Sequence, residues 1–178
     1  MSNTGVAVDE ESRLLVLASL HLLDAPPQMA FDHVVQVASV VCGAPIALVL
    51  LVDRDRLYLI ARADLDLVQV PSEHSLCNYA IGTPRVMLEV RDASIDPRFA
   101  QSPSVTGILG IRFYAGVPLV TSEGEAIGTL CVMDRQPRVL NESQRVALEY
   151  RAQLTIELME SRRRELLLQQ RLADLDPA

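Results

Sequence analysis

Residues 110–134 read GIRFYAGVPLVTSEGEAIGTLCVMD. Two apolar runs flank Glu123-Gly124, which reads as the turn of a β-hairpin. A two- or four-residue loop there sets Tyr114 opposite Met133, Gly116 opposite Cys131 and Pro118 opposite Thr129. Side chains alternate across a strand. One face of the hairpin then carries Arg112, Tyr114, Gly116, Thr129 and Cys131. The other carries Phe113, Ala115, Val117, Leu119, Leu130 and Val132, a plain core face. A slip of one residue in one strand would exchange its faces. Either the polar groups of the mixed face decorate a solvated sheet, or they line something.

The flanking sequence supplies the rest of an α+β domain. Residues 9–23 have leucines near helical spacing behind acidic residues and predict a first helix, stopped by the prolines at 26 and 27. In residues 29–43, Phe31, Val34, Val35, Ala38 and Val41 form one stripe ending at Gly43, which predicts a second helix with a glycine stop. PIALVLLVD is too short for a helix and reads as a strand buried on both faces; LYLIARA is the next strand. SLCNYAIG reads as a short helix with Ser72 as a candidate cap, RVMLEV as a strand, and residues 91–110 as an irregular crossover with two short helical stretches. Asn141 caps a final helix over about 141–174. Hairpins imply antiparallel pairing, so the expected fold is α+β, with a central antiparallel sheet of five or six strands between helical layers and long N- and C-terminal helices. The expected division is 1–27 as helix and lead-in, 28–140 as the main domain and 141–178 as a signalling or dimerisation helix.

The chain has 178 residues, 49% of them hydrophobic, which suffices for a real core. Its net charge of −7 argues against a nucleic-acid partner. All 16 basic residues are arginine, so neither a Schiff-base lysine nor a P-loop lysine is available. The three cysteines, Cys42, Cys77 and Cys131, form no metal-ligand spacing and no disulfide framework; no metal and no cofactor are expected. Asp9, Glu10 and Glu11 argue against a secretory leader, and no apolar run could span a bilayer. The expected setting is the cytoplasm, away from membranes.

Five stretches occur in order at regular spacing: FDHVVQVASVVCGAPIALVLLVDRDR, PSEHSLCNYAI, VRDASIDPRFAQSPSVTG, IRFYAGVPLVTSEGEAIGTLCVMDRQPR and LNESQRVAL. Together, over residues 31–148, they resemble the successive motifs of bacterial GAF domains. The resemblance implies a GAF/PAS-like sheet of six strands sandwiched between helices. It also implies a ligand cavity between one sheet face and the crossover helices. Members of this family are regulatory sensor modules more often than enzymes. On that reading the mixed hairpin face lies under a second layer, and its few polar groups orient a small ligand in a mostly apolar pocket. The candidate ligand-binding residues are His74, Ser75, Cys77, Asn78, Asp92, Arg112, Tyr114, Thr129 and Cys131, with Arg98 at the rim.

Each candidate also has an architectural reading. Arg112 either holds an anionic group in its planar fork or pairs with Asp92 or Asp96. Tyr114 is a core aromatic or a ligand donor. Cys77 and Cys131 are small buried residues or a redox pair. His74 contacts a ligand or holds its loop, and Ser75 contacts a ligand or caps the short helix. Asp92, Asp96, Pro97 and Arg98 read as a loop-stabilising set, with Asp96-Pro97 opening a turn. His21 and His33 sit on helices as structural or solvated groups. The cysteine set of free methionine sulfoxide reductases and the Cys-His pair of bilin-binding relatives are not reproduced.

The last helix, near 50 Å at about 1.5 Å per residue, is longer than the domain needs. Leu154, Leu158, Ser161, Glu165, Leu168, Leu172 and Leu175 alternate spacings of four and three, a heptad seam with two polar positions. The ending RLADLDPA resembles the junction that opens a diguanylate cyclase domain. The expectation is a non-enzymatic, cytoplasmic GAF sensor that binds a small ligand and pairs as a homodimer through its terminal helices. A diguanylate cyclase or kinase output domain would follow. The alternatives are a small thiol redox enzyme, like a methionine sulfoxide reductase, or a ligand-free dimerisation scaffold.

Overall fold

The computed structural model describes residues 10–23, 25–65 and 75–175. Ser72 and His74, singled out above, and residues 176–178 of the ending RLADLDPA lie outside the described residues. Among the described residues, five helices, α1 (Glu10–Ser19), α2 (Met29–Cys42), α3 (Leu76–Ile81), α4 (Pro103–Thr106) and α5 (Glu142–Leu175), surround five strands. The strands are β1 (Ile46–Val52), β2 (Leu57–Ala63), β3 (Leu88–Val90), β4 (Phe113–Val120) and β5 (Ala126–Asp134). All pair antiparallel, in the order β2-β1-β5-β4-β3.

The β4–β5 hairpin has the register read from its turn: Tyr114 faces Met133, Gly116 faces Cys131 and Pro118 faces Thr129. A register shift after Leu119 adapts the strand ends to the turn. β1 lies beside β5, with Leu48 opposite Cys131 and Leu50 opposite Thr129. Every residue of β1 is buried, because the sheet is covered on both faces.

Parity sorts the sheet into two cores. Val49, Leu51, Phe113, Ala115, Leu130 and Val132 pack against Phe31, Val34, Val35 and Ala38 of α2 and Leu148, Ala152, Ile156 and Met159 of α5. Ile46, Leu48, Leu50, Tyr114, Cys131 and Met133 pack beneath Leu76, Cys77 and Ala80 of α3 and the crossover residues Val90, Ala93, Phe99, Val105 and Ile111. The second core gives the mixed hairpin face its roof.

Local signals hold the ends. Gly43 stops α2 in the left-handed conformation (φ 62°), and its N–H faces the carbonyls of Ser39 and Val40. Asn141 and Gln144 exchange side chain to backbone hydrogen bonds at 2.9 and 3.0 Å, a reciprocal cap at the start of α5. Three elements depart from expectation. The first helix ends at Ser19: the chain turns through His21 (φ 51°), which buries both Leu20 and Leu22, so His21 stands outside the helix. Val41 leaves the buried stripe of α2 and is half exposed, while Cys42 takes the inner position. β3 shrinks to three residues because Arg85 adopts a left-handed turn (φ 68°) and Val86 faces solvent.

α5 is packed only along its first half. Leu148, Ala152, Thr155, Ile156 and Met159 are buried. Glu160 accepts the Ser122 N–H at 2.7 Å, and Arg163 pairs with Glu123 at 2.8 Å and donates to Ser19 Oγ at 3.0 Å. Leu167, Leu168, Leu172 and Leu175 beyond it are exposed. No helix among the described residues is long and apolar enough to cross a membrane.

Candidate functional site

The site begins with a glycine. Gly116 lies on the same face as Tyr114, two residues on, and a Cβ there would sit 2.2 Å from the Tyr114 hydroxyl. The missing side chain lets the ring fold over the strand. Tyr114 Oη thereby reaches across the sheet to Cys77 Sγ, at 3.5 Å. Cys77 is presented by α3, whose N-cap is Ser75: its Oγ accepts the Asn78 N–H at 3.0 Å. This cap turns Leu76, Cys77 and Ala80 toward the sheet. Thr129 and Cys131, neighbours on β5, are fully buried below. Among the described residues, the Thr129 hydroxyl oxygen makes no hydrogen bond of good geometry.

The cluster is electrostatically coupled. The neighbouring Cys131 thiol lowers the Cys77 pKa; burial opposes this, and the Thr129 and Tyr114 hydroxyls assist it. Cys131 is pushed well up, first by Cys77 and then by burial. Burial, followed by the adjacent Cys77, raises the Tyr114 phenol, so it stays protonated as a donor. The two thiols therefore lose their protons as a pair, one step shifted down and the other up from the ordinary thiol range.

Above the cluster is a partly open cavity of about 30 Å³, lined by Leu48, Leu50, Leu65, Ser75, Leu76, Cys77, Ser104, Leu109, Ile111, Tyr114 and Met133. That is space for roughly two waters, far below the roughly 300 Å³ at which ordinary ligand pockets start. A nucleotide-sized ligand would require α3 and residues 103–111 to move outward.

The structure brings Ser75, Cys77, Tyr114, Thr129 and Cys131 together and places Asn78 beside them on α3. Arg112 and Asp92 stand elsewhere. The Arg112 guanidinium donates to the carbonyls of Val105 and Ile111, both at 3.1 Å, fastening the crossover to the start of β4. Asp92 accepts from the Ser94 N–H and hydroxyl in a local turn, which holds its carboxyl below the usual range. Asp96 pairs with Arg98 at 2.7 Å, and the guanidinium lies 5.2 Å from the Tyr79 ring centre and 4.9 Å from that of Phe99. His74 is outside the described residues.

The reading from sequence misses the apolar walls of the cavity, which come from both β1 and the crossover. It also misses an open groove of about 580 Å³ between α5 and β4, floored by Val117, Pro118, Ala152 and Ile156 and rimmed by Arg85, Glu149, Glu157 and Glu160. The brevity of β3 leaves that stretch of β4 uncovered; the only advance sign was the weak strand pattern of RVMLEV.

A roofed antiparallel sheet with its cavity on the crossover side defines an α+β sandwich of one sheet between helical layers. The GAF domain model matches residues 26–158, and the chain belongs to the GAF family. It is 41% identical over 149 residues to a cyclic di-GMP phosphodiesterase of Pseudomonas aeruginosa, a match covering 83% of this chain and 25% of that protein. The chain thus spans about a quarter of the length of that relative. Its fold matches the GAF domain of an Acinetobacter phosphoenolpyruvate-protein phosphotransferase (TM-score 0.62, 18% identity, 90% of this chain and 95% of that one). It also matches a free methionine-R-sulfoxide reductase of Neisseria meningitidis (TM-score 0.62, 21% identity, 88% of this chain and 89% of that one).

These findings correct the expectation of a non-enzymatic chain. The relative at 41% identity bears the name of an enzyme. The expectation rested on the regulatory role of most GAF domains and on the unmatched reductase cysteines, read over a span that corresponds to only part of that enzyme.

Proposed function

We propose that this GAF module works in cyclic di-GMP signalling, as the sensory segment of a longer phosphodiesterase-type protein, pairing with a second copy through α5. The observation that carries the reading is the free half of α5: past the last tether at Arg163, its seam leucines Leu168, Leu172 and Leu175 are 59, 67 and 80% exposed. Their spacing is that of a coiled-coil seam. Residues 28–140 form the sensor body on this reading, 1–27 the lead-in and 141–178 the output helix. Three free cysteines suit the reducing cytoplasm.

The input is a small ligand between the sheet and α3. Opening the cavity displaces α3 and the crossover against β4 and β5. The β4–β5 hairpin tip is clasped to α5 through Ser122–Glu160 and Glu123–Arg163, so its movement biases the pairing of α5. The small volume of the cavity favours a second reading, a dimerisation scaffold with no ligand. Native mass spectrometry of the freshly purified chain separates the two: a retained small molecule supports the sensor, and a bare mass supports the scaffold.

Sedimentation velocity at micromolar concentration tests the pairing. The intact chain should run as a dimer and the triple variant L168E/L172E/L175E as a folded monomer. A monomeric intact chain would remove the output route.

A further inference from the structure

Cys77 and Cys131 are far apart in sequence, on a crossover helix and the central strand, yet the fold sets both in one buried cluster, where Tyr114, on the same sheet face as Cys131, bonds to Cys77. A structural thiol is ordinarily wrapped in carbon. These two share their chamber with two hydroxyls, Tyr114 Oη at 3.5 Å from Cys77 and that of Thr129, fully buried beside Cys131 on β5. Cys77, but not Cys131, forms part of the cavity wall. The cavity holds roughly two waters, the size of a hydroperoxide and too little for a larger oxidant. Cys42, the third thiol, lies in the opposite core, and burial alone pushes it up to about 11.

We propose that Cys77 and Cys131 are a reversible oxidation site, in which hydrogen peroxide entering the cavity oxidises Cys77 and Cys131 then closes a disulfide onto it. In the first step the Cys77 thiolate attacks one peroxide oxygen: the S–O bond forms, the O–O bond breaks, and the leaving hydroxide takes a proton to become water. The Tyr114 hydroxyl is placed to donate to that leaving oxygen. In the second step the Cys131 sulfur attacks Cys77: the S–S bond forms, the S–O bond breaks, and a second water leaves with the Cys131 proton. Two thiols and one peroxide give one disulfide and two waters. The place of Cys77 in the cavity wall, with Cys131 behind it, assigns Cys77 the first step.

The bridge would tie α3 to the middle of the sheet and close the cavity to any occupant. This holds whether or not α5 pairs two copies. The test treats the native 178-residue chain with hydrogen peroxide, alkylates the remaining thiols, and maps peptides by mass spectrometry. The expected result is loss of two hydrogens in a linked Cys77–Cys131 peptide, reversed by dithiothreitol. C131S should instead hold a sulfenic acid at residue 77, trapped by dimedone. An unlinked chain at peroxide doses that oxidise free glutathione would overturn the proposal, as would a bridge engaging Cys42. The wild-type experiment decides the matter even if C131S does not fold.

Discussion

At Gly116, one missing methyl group shapes the site. Gly116→Ala drives a carbon into the space of the Tyr114 hydroxyl. The variant should lose about 1–3 kcal/mol of stability in urea unfolding, the usual penalty of overpacking, and its Cys77 should change in alkylation rate. An unchanged midpoint would show that the ring does not rest there. Tyr114→Phe keeps the packing and removes the hydrogen bond to Cys77; its expected cost is about 1 kcal/mol, with slower alkylation of Cys77 near neutral pH. Asp96 makes a pH prediction. Arg98 holds its carboxyl below the ordinary value of 3.8, so the pair stabilises the fold above that value. The contribution disappears as pH falls through the depressed folded value. Asp96→Asn should flatten that part of the acid limb by less than about 1 kcal/mol, because the pair is partly open to solvent. Equal acid profiles for the two proteins would refute a coupled pair.

At the scale of the element, α5 depends on its first turn and its buried face. Asn141→Ala removes one half of the reciprocal cap and should cost about 1 kcal/mol, read from the thermal midpoint. Elements whose own residues carry their pattern were legible in the sequence. β1 is an unbroken apolar run, α2 is bounded by its glycine stop, and the β4–β5 register follows from where Gly124 puts the turn. Elements settled by distant packing were not. α1 stops early because Leu20 and Leu22 must both reach the core beside α2, and β3 is cut short by a left-handed turn at Arg85 that no local signal marks.

For the whole molecule, the same division explains the site. Parity on the hairpin placed Tyr114, Thr129 and Cys131 on one face, so that part of the chamber was readable. The distance from α3 to the sheet was not, and it sets the cavity at about 30 Å³. The destination of Arg112 was equally hidden, since its partners are backbone carbonyls, which every residue offers. The heptad seam of α5 was readable because it is a matter of spacing alone, and its exposure beyond Arg163 leaves a leucine surface that pairing would cover. The central claim is that two copies join side by side along that seam, and inter-label distance measurement at residue 173, exposed and just off the seam, tests it most directly. In A173C carrying a nitroxide, parallel helices packed about 8–10 Å apart should give one sharp distance of roughly 15–30 Å, absent from the wild-type chain taken through the same labelling. A sample without dipolar coupling between labels at micromolar concentration would contradict the account.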